Sequence, residues 1–507
     1  MNDQILTAAV FLPVAGAAVL GLIPRRQEQL LKYTALLFTL ATTGVGVYLL
    51  AAFNYSQSAR LQFSINTEWI PVINSRYHLG IDGISLPLVV LSMVITLLCV
   101  IYSWDHFPEP HNPKALLILM LVLETGMIGT FCAEDLILFF VFFELVLLPM
   151  YFMIGVWGGP NRQYAAIKFF LYTLFGSALM ILSFLALYFK GGQTFDIPLL
   201  IARGNTIAHG ASLLIFAGLF MGFAIKVPMF PFHTWLPDAH TEAPTVGSVI
   251  LAAVLLKLGV YGFIRIAIPI LPDAAHSWAW FIGLLAVIGI IYGALGCLAQ
   301  TDMKRLIAFS SIAHMGFVML GVATLTTFGI NAAVFGMVAH GLITGMLFFI
   351  AGSIQERFHT RELKRLGGLL LQTPRMGWIL GFCVFASLGL PGLAGFWGEF
   401  PAILSAYQPA AGLDLTVFRT YMAVGAIGTV FAAGYLLWML QRVAFGTAQK
   451  EFADAHIHDM HIPEYIAWTP LLIGILVLGV FPSLLFHMTN GAVVLVTQGL
   501  PALAGAR

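Results

Sequence analysis

The sequence is poor in charge, because aspartate, glutamate, lysine and arginine together make up only 9% of its 507 residues. A soluble domain carries about a quarter charged residues, so this composition excludes a water-soluble globular protein. The net charge of +1 gives no basic surface. We therefore expect no nucleic-acid partner.

Cysteine is scarce as well, and the four cysteines are scattered without a C-x-x-C pair: Cys99, Cys132, Cys297 and Cys383. This spacing gives no disulfide framework, zinc site or iron–sulfur cluster. The phosphate-binding patterns G-x-x-x-x-G-K-[ST] and G-x-G-x-x-G are absent too. The histidine-rich stretch HIHDMH at 456–461 resembles a metal site, but we interpret it as a solvated loop. We expect no cofactor in this chain.

Long apolar runs are what the sequence has in abundance, with 60% hydrophobic residues. Runs of roughly 20 apolar residues are typical of transmembrane helices. The sequence predicts an all-α polytopic membrane protein with about fourteen spans. The first run ends in IPRR without a small-residue cleavage site, so we expect it to be a retained helix. The predicted limits are 5–23, 30–53, 84–104, 114–132, 135–157, 165–189, 209–227, 245–268, 277–299, 303–323, 329–352, 375–405, 416–442 and 465–487.

The distribution of lysine and arginine predicts the orientation of the chain. Connections after odd-numbered spans hold fifteen of these residues, and the other connections and termini, with Arg265 counted among them, hold seven. Cytoplasmic loops carry the excess of positive charge. Both termini are therefore predicted on the outer, periplasmic side of a bacterial inner membrane, although the acidic connection at 104–114 argues weakly against it.

Beyond the residues counted with the connections, five charged residues remain inside predicted spans, with Asp135 near an edge: Glu124, Glu144, Lys226, Lys257 and Glu399. A charge at bilayer depth costs at least about 2.5 kcal/mol and usually faces the bundle interior or a wet cavity. Lys226 lies near a helix end, so it either snorkels to the interface or serves a function. Lys257 and Glu144 are too central to snorkel. For Glu124 we expect a contact with a neighbouring subunit.

Two spans are interrupted by similar sequences. In GFAIKVPMFPFHTWLPDAH (222–240) prolines end the seventh span, and in GLPGLAGFWGEF (389–400) Pro391 and glycines interrupt the twelfth. Interrupted helices at corresponding positions indicate transporter repeats and a transport site, although prolines also kink helices for packing reasons. Two inverted five-helix repeats are predicted. The expected regions are 1–112, 113–270 (spans 4–8), 271–445 (spans 9–13) and 446–507.

These stretches closely resemble one family, the antiporter-like membrane subunits of proton-pumping NADH:quinone oxidoreductase, respiratory complex I. The resemblance rests on the sequences at 121–151, 226–262, 301–316 and 390–400, and it covers nearly the whole chain from the third span. Most relatives carry lysine at the distal position of the twelfth helix. Glu399 stands there instead, as in the chain M branch, the counterpart of mitochondrial subunit 4.

The resemblance implies a proton relay. It makes Glu144 and Lys226 the coupling pair of a first half-channel and Lys257 the central relay group. Glu399 would be the exit-side group of a second half-channel, with His314 and His340 between. Each histidine has a simpler alternative, a hydrogen bond to a neighbouring helix. A further polar set lies after the seventh span and either funnels protons or caps the next helix: His233, Asp238, His240 and Glu242.

Two functions fit this pattern. The first is a proton-translocating subunit of NADH:quinone oxidoreductase, whose flavin and iron–sulfur clusters are expected in partner subunits. The other complex I membrane subunits would then be its partners, with an antiporter-like subunit on either side and lipid around them. The alternative is a subunit of an Mrp-type cation/proton antiporter or a membrane-bound hydrogenase. Glu399 favours the first function.

Overall fold

The computed structural model describes residues 4–452 and 457–498, which form a bundle of membrane-spanning helices. In this part of the chain, thirteen continuous helices are long and apolar enough to cross a membrane. A further crossing, the twelfth, consists of two half-helices, Pro374–Ser387 and Ala394–Ser405. The predicted all-helical architecture with about fourteen spans is confirmed. The continuous spans, in chain order, are Ile5–Leu22, Glu28–Ala52, Ser85–Tyr102, Pro113–Cys132, Leu136–Trp157, Arg162–Lys190, His209–Lys226, Thr245–Ile270, Pro272–Leu298, Met303–Ala323, Thr327–Phe358, Leu415–Ala444 and Ile462–Val480.

The seventh and twelfth spans are broken where the prolines and glycines predicted it. The seventh helix ends at Lys226, and after turns the chain resumes as a short helix, Trp235–Glu242. The Trp235 indole N–H donates to the Ile225 carbonyl at 2.9 Å, which satisfies a backbone group that the break frees. At the twelfth span Gly389 (φ 73°) and Gly392 (φ 93°) adopt left-handed backbone conformations, which favour glycine.

The eighth, tenth and eleventh spans form the centre of the bundle. In the eighth and eleventh spans the most apolar 18-residue segment is completely buried, and in the tenth span 94% of that segment is buried. In the second span the corresponding value is only 28%. A helix that is apolar all round belongs in the interior. Polar residues on the three central spans are therefore enclosed by protein. This is where Lys257, His314 and His340 lie.

The eighth span is not a regular α-helix. Two π-helical turns, Leu251–Leu255 and Phe263–Ala267, interrupt it on either side of Lys257. Such turns are rare and occur frequently at functional sites. Arg265 lies in the second of these turns and is only 9% exposed. Counting it with the outer loops was therefore wrong, because the helix continues to Ile270.

A β-hairpin that the sequence did not suggest lies between the second and third spans. Strand β1, Gln62–Ile70, pairs antiparallel with β2, Ser75–Ile81, and Asn74 turns the chain with a left-handed conformation. Residues 62–66 of β1 alternate between polar and apolar, but the polar run 66–68 interrupts this alternation. We call the side of the membrane on which this hairpin lies the hairpin face.

The fourteenth span is shorter than predicted, because it ends at Val480 and Pro482 follows. The expected limit at 487 was wrong, and a separate helix, Ser483–Gln498, occupies part of the predicted tail. Other short helices connect spans, namely Ile197–Arg203 and Leu369–Gln372, as do the three-residue turns Tyr55–Gln57, Pro71–Ile73 and Gly204–Thr206.

Candidate functional site: a buried row of ionisable side chains

Lys257 and His340 contact each other in the centre of the bundle. The Lys257 ammonium donates to His340 Nδ1 at 2.7 Å and also contacts the Ala252 carbonyl. Neither side chain is more than 6% exposed. Because an ammonium only donates, Nδ1 of His340 accepts, and the proton of the neutral ring sits on Nε2. That Nε2 has no hydrogen-bonding partner among the described residues.

His314 and Glu399 form the next contact in the row. His314 Nδ1 contacts Glu399 Oε1 directly, so Nδ1 carries the proton of that ring. Its Nε2 then accepts from the hydroxyls of Ser387, at 3.1 Å, and Tyr435, at 3.2 Å. Three helices thus hold His314 in one orientation.

A small cavity joins the two pairs. It measures about 20 Å³ and is lined by His314, His340, Thr344, Ser387 and Glu399. That is room for a water molecule, which needs about 10–15 Å³ and polar partners. The rings of His314 and His340 are 5.9 Å apart between centroids. The polar side chains of the eighth, eleventh, tenth and twelfth spans therefore lie in contact or around one shared cavity.

Glycine brings the second half of the twelfth span against this path. Gly398 packs against Gly336 of the eleventh span, and a Cβ on Gly398 would lie 2.5 Å from the Gly336 Cα atom. Small residues allow membrane helices to approach backbone to backbone. Glu399 follows Gly398 directly. Glu399 and His340 therefore line the same cavity.

Lys226 and Glu144 lie together but are not bonded. Lys226 is 2% exposed and its ammonium has no hydrogen-bonding partner among the described residues. It sits 4.7 Å from the centroid of the Phe143 ring, a cation–π contact. The charge of Glu144 acts on Lys226 from beyond bonding distance, and Ser177 interacts with Glu144 from the sixth span. Snorkelling of Lys226 to the interface is excluded by its burial.

The seventh and eighth spans touch beside the two lysines. Gly259 packs against Phe223 and Val227, and a Cβ there would lie 2.7 Å from the Phe223 carbonyl oxygen. Lys226 lies between these two residues in sequence, and Lys257 lies two residues before Gly259. Within the described residues, no hydrogen bond joins the two lysines. The row therefore has two parts, Glu144–Lys226 and Lys257–His340–His314–Glu399.

The polar set after the seventh span divides into two groups. Asp238 pairs with Lys168 at 2.7 Å, and Glu242 accepts from the Asn161 N–H at 3.0 Å, so both hold neighbouring elements together. The two histidines of the set differ from these acids, because His233 Nδ1 and both ring nitrogens of His240 have no hydrogen-bonding partner among the described residues. His240 is fully buried with neither ring nitrogen bonded in the described structure, and it stacks on Phe348 at 4.6 Å.

Two features were not predicted from the sequence, namely the hydroxyl groups that orient His314 and the complete burial of Glu124. Ser387 and Tyr435 orient His314, and hydroxyls inside apolar helices give no distinctive sequence signal. Glu124 is completely buried and its carboxylate has no partner among the described residues. Glu124 was expected to pair with a neighbouring subunit, but its side chain has no exposed surface for such a contact, because this chain encloses it. In the 456–461 stretch, His456 lies outside the described residues.

Comparison with known proteins gives consistent matches along the chain. Residues 133–425 match the family described as NADH:quinone oxidoreductase/Mrp antiporter, transmembrane, and residues 30–130 match NADH-ubiquinone oxidoreductase chain 4, amino terminus. The chain is 41% identical over 518 aligned positions to NADH-quinone oxidoreductase subunit M of Rhodobacter capsulatus, covering 99% of this chain and 98% of that one. It is 38% identical to NADH-ubiquinone oxidoreductase chain 4 of Chondrus crispus, covering 95% of each chain.

Solved structures share the fold. A chain of respiratory complex I from Thermus thermophilus superimposes with a TM-score of 0.86 at 28% identity, covering 99% of this chain and 100% of that one. A chain of the Mrp complex from Dietzia sp. gives a TM-score of 0.84 at 22% identity, covering 97% of this chain and 52% of that one. A chain of the archaeal membrane-bound sulfane sulfur reductase gives 0.85 at 21%, with 98% and 99% covered. The last two likenesses concern the fold alone.

Proposed function

The chain belongs to the subunit M/chain 4 family of NADH:quinone oxidoreductase, the antiporter-like proton-translocating membrane subunits of complex I, and we propose that it carries protons along the buried row. The Lys257–His340–His314–Glu399 contacts are the observation that supports this most strongly. The proposed relay groups are Glu144, Lys226, Lys257, His340, His314 and Glu399.

The chemistry of the row suits proton transfer. An ammonium at Lys257 releases a proton to the Nδ1 that accepts its hydrogen bond, and His340 then donates from Nε2 toward the shared cavity. Histidine titrates closest to neutral pH without help. Glu399 takes the proton from His314 Nδ1. Each transfer thus occurs between groups in contact or separated by about one water.

The unbonded arrangement of Glu144 and Lys226 supports a switching role for that pair. An opposite charge nearby stabilises an ammonium, and separation from it favours the neutral amine. Movement of the Glu144 carboxylate toward or away from Lys226 would therefore retain or release the lysine proton. The fifth span is interrupted at Val146, between Leu136–Leu145 and Leu147–Trp157, and we propose that this interruption, two residues after Glu144, is where such movement occurs.

The electrons are proposed to move in partner subunits that carry flavin and iron–sulfur clusters. We propose further that antiporter-like subunits flank this chain on both sides. Exposed apolar residues on the sixth and thirteenth spans, such as Leu171, Leu182 and Val430, offer surface for such neighbours or for lipid. We also propose an inner-membrane location with both termini periplasmic and the regions 113–270 and 271–445 as inverted repeats. The Mrp-type alternative has the shared fold and the joint family description of residues 133–425 behind it, whereas the 41% identity over nearly the whole chain is to subunit M.

The experiment that tests the function replaces Glu144 in the assembled complex. Glu144→Ala should abolish proton pumping and most quinone-linked NADH oxidation, because no carboxylate is left to act on Lys226, and Glu144→Asp should retain part of both. Pumping is measured by quenching of an acidification probe in inverted membrane vesicles, and assembly by a blue-native gel. Val141→Ala, at an exposed position of the same helix, is the matched control.

Two results would contradict the proposal. Normal pumping by Glu144→Ala would remove Glu144 from the relay. Purification of the chain as an active solitary antiporter, without a multisubunit quinone reductase, would contradict membership of a redox-driven pump. A complex that fails to assemble only in Glu144→Ala would assign Glu144 a structural role.

A further inference from the structure

A second group of buried charges lies at the hairpin-face end of the eighth span, outside the relay. It surrounds the Arg265 guanidinium. Asp82 Oδ1 lies 2.6 Å from Arg265 Nη2, at an angle unfavourable for a hydrogen bond. Glu134 Oε1 lies 3.7 Å from Arg265 Nε. We call this group the Arg265 cluster; its members are Asp82, Glu134, Arg265, His78 and Asp196.

Glu134 is held rigidly at the junction of the fourth and fifth spans. Its backbone N–H donates to the His78 carbonyl of β2, and its own carbonyl accepts from the Ile197 N–H, both at 2.9 Å. The residue is 1% exposed. Glu134 Oε1 nevertheless has no hydrogen-bonding partner among the described residues, so an ionised carboxylate there is poorly solvated.

The other acids near Glu134 already have partners. Asp196 Oδ2 bonds to His78 Nδ1 at 2.7 Å. Asp135 caps the fifth span and accepts from the Ser75 hydroxyl and the Arg76 N–H. Asp82 accepts from two backbone N–H groups and lies against Arg265.

The carboxylates of the cluster outnumber its permanent cation, since Arg265 is the only residue of the group that is always charged. A buried surplus of negative charge is relieved when one carboxylate binds a proton. The carboxylate left without a donor is that of Glu134. Burial raises the pKa of Glu134 to about 7, with Arg265 and His78 opposing the shift and Asp82 and Asp196 adding to it.

A stripe of polar residues on the eighth span leads from the relay to this cluster. Lys257, Tyr261 and Arg265 are spaced by four residues, which places them on one face of a helix. The Arg265 Nε–H donates to the Tyr261 hydroxyl at 3.0 Å, and that hydroxyl donates to the Phe131 carbonyl at 3.0 Å. Glu134 lies close enough for its charge to act on Tyr261.

We propose that Glu134 is a proton-binding site through which this chain exchanges protons with water on the hairpin face, an inference that rests on the proposed relay. The step is a proton transfer only. The O–H bond of protonated Glu134 breaks, the proton passes to water on that face, and the carboxylate remains beside Arg265. In the reprotonation step Lys257 gives its proton toward the cluster, along the stripe that includes Tyr261, instead of to His340, and the proton forms the new O–H bond of Glu134.

The test varies the pH on the hairpin face. For a group with a pKa of about 7, the ionised fraction rises from about one-tenth at pH 6 to about nine-tenths at pH 8. Inverted vesicles are loaded with buffer across this range at constant external pH, and initial pumping rates are recorded. The Glu68→Gln complex should show the wild-type increase with internal pH, because Glu68 lies exposed on the same hairpin. The Glu134→Gln complex should pump slowly and without this increase, and Glu134→Asp should restore it.

A spectroscopic measurement separates proton binding from structural support. Infrared difference spectra between internal pH 6 and 8 should contain a protonated-carboxyl band that Glu134→Gln removes and Glu68→Gln retains. If Glu134→Gln does not assemble, the pumping rate of Glu134→Asp is compared with that of the wild type across internal pH. A changed midpoint of this profile supports the proposal, and an unchanged midpoint overturns it. A wild-type pH profile and band in Glu134→Gln also overturn it. Normal pumping by both Lys257→Arg and Lys226→Arg would instead overturn the relay itself.

Discussion

Replacement of Lys257 by arginine separates a relay from a fixed charge. The Lys257 side chain is completely buried and bonds to His340 Nδ1 at 2.7 Å. Arginine keeps the positive charge and the donor, but it stays protonated in proteins. If Lys257 only balances charge, the variant should work. If it must release its proton to His340, the variant should fail.

The size of the effect follows from the neutral population of each group. Reference pKa values are about 10.4 for lysine and about 12.5–13.8 for arginine. At the same pH the neutral form is therefore about 10² to 10³ times rarer in arginine. Proton transfer through the neutral form should slow by about this factor, so pumping through this chain should be undetectable beside the wild-type rate.

The assay compares pumping at equal complex content. Inverted vesicles with Lys257→Arg should assemble the complex, oxidise NADH with an artificial acceptor at the wild-type rate, and lose most acidification-probe quenching. Lys226→Arg should behave in the same way. Lys32→Arg is the matched control, because Lys32 is also buried, at 8% exposure, but bonds to Glu28 and the Trp104 carbonyl away from the row. Wild-type pumping by both Lys257→Arg and Lys226→Arg would refute the reasoning.

Two further predictions concern other buried pairs. Glu399→Gln keeps a side chain of the same shape beside His314 but cannot accept the proton, so pumping should fall. Glu399→Asp keeps a carboxylate and should retain part of the pumping. Equal pumping by the two variants would contradict the role of Glu399. Glu464→Gln breaks the buried bidentate pair with Arg357, whose bonds measure 2.9 and 2.6 Å. Loss of one partner of a buried pair costs about 3–5 kcal/mol. The complex should then dissociate at a lower temperature on blue-native gels with its relay intact, and unchanged thermal stability would show that the pair contributes little.

Much of the fold follows from the sequence because the membrane restricts the possible structures. Backbone groups in lipid must be satisfied within a helix, so each long apolar run predicts one span. The breaks at Pro228 and Pro391 were equally predictable, because proline cannot continue a regular helix. The hairpin before the third span was missed, since the alternation in β1 is short and is interrupted by the polar run 66–68. The end of the fourteenth span was misplaced because the apolar character continues beyond Pro482.

The sequence by itself determined which residues carry charge at bilayer depth, and hence the members of the row from Glu144 to Glu399. Burying a charge in an apolar helix is costly, so such residues stand out without any structure. Only the tertiary structure decided which of them meet. Lys257, His340 and His314 lie on different spans, and their contacts depend on how those helices pack. The same holds for Glu134, which reads as a loop residue in the sequence. It becomes a buried carboxylate, with no hydrogen-bond donor on Oε1 among the described residues, only because β2 and the eighth span pack around it.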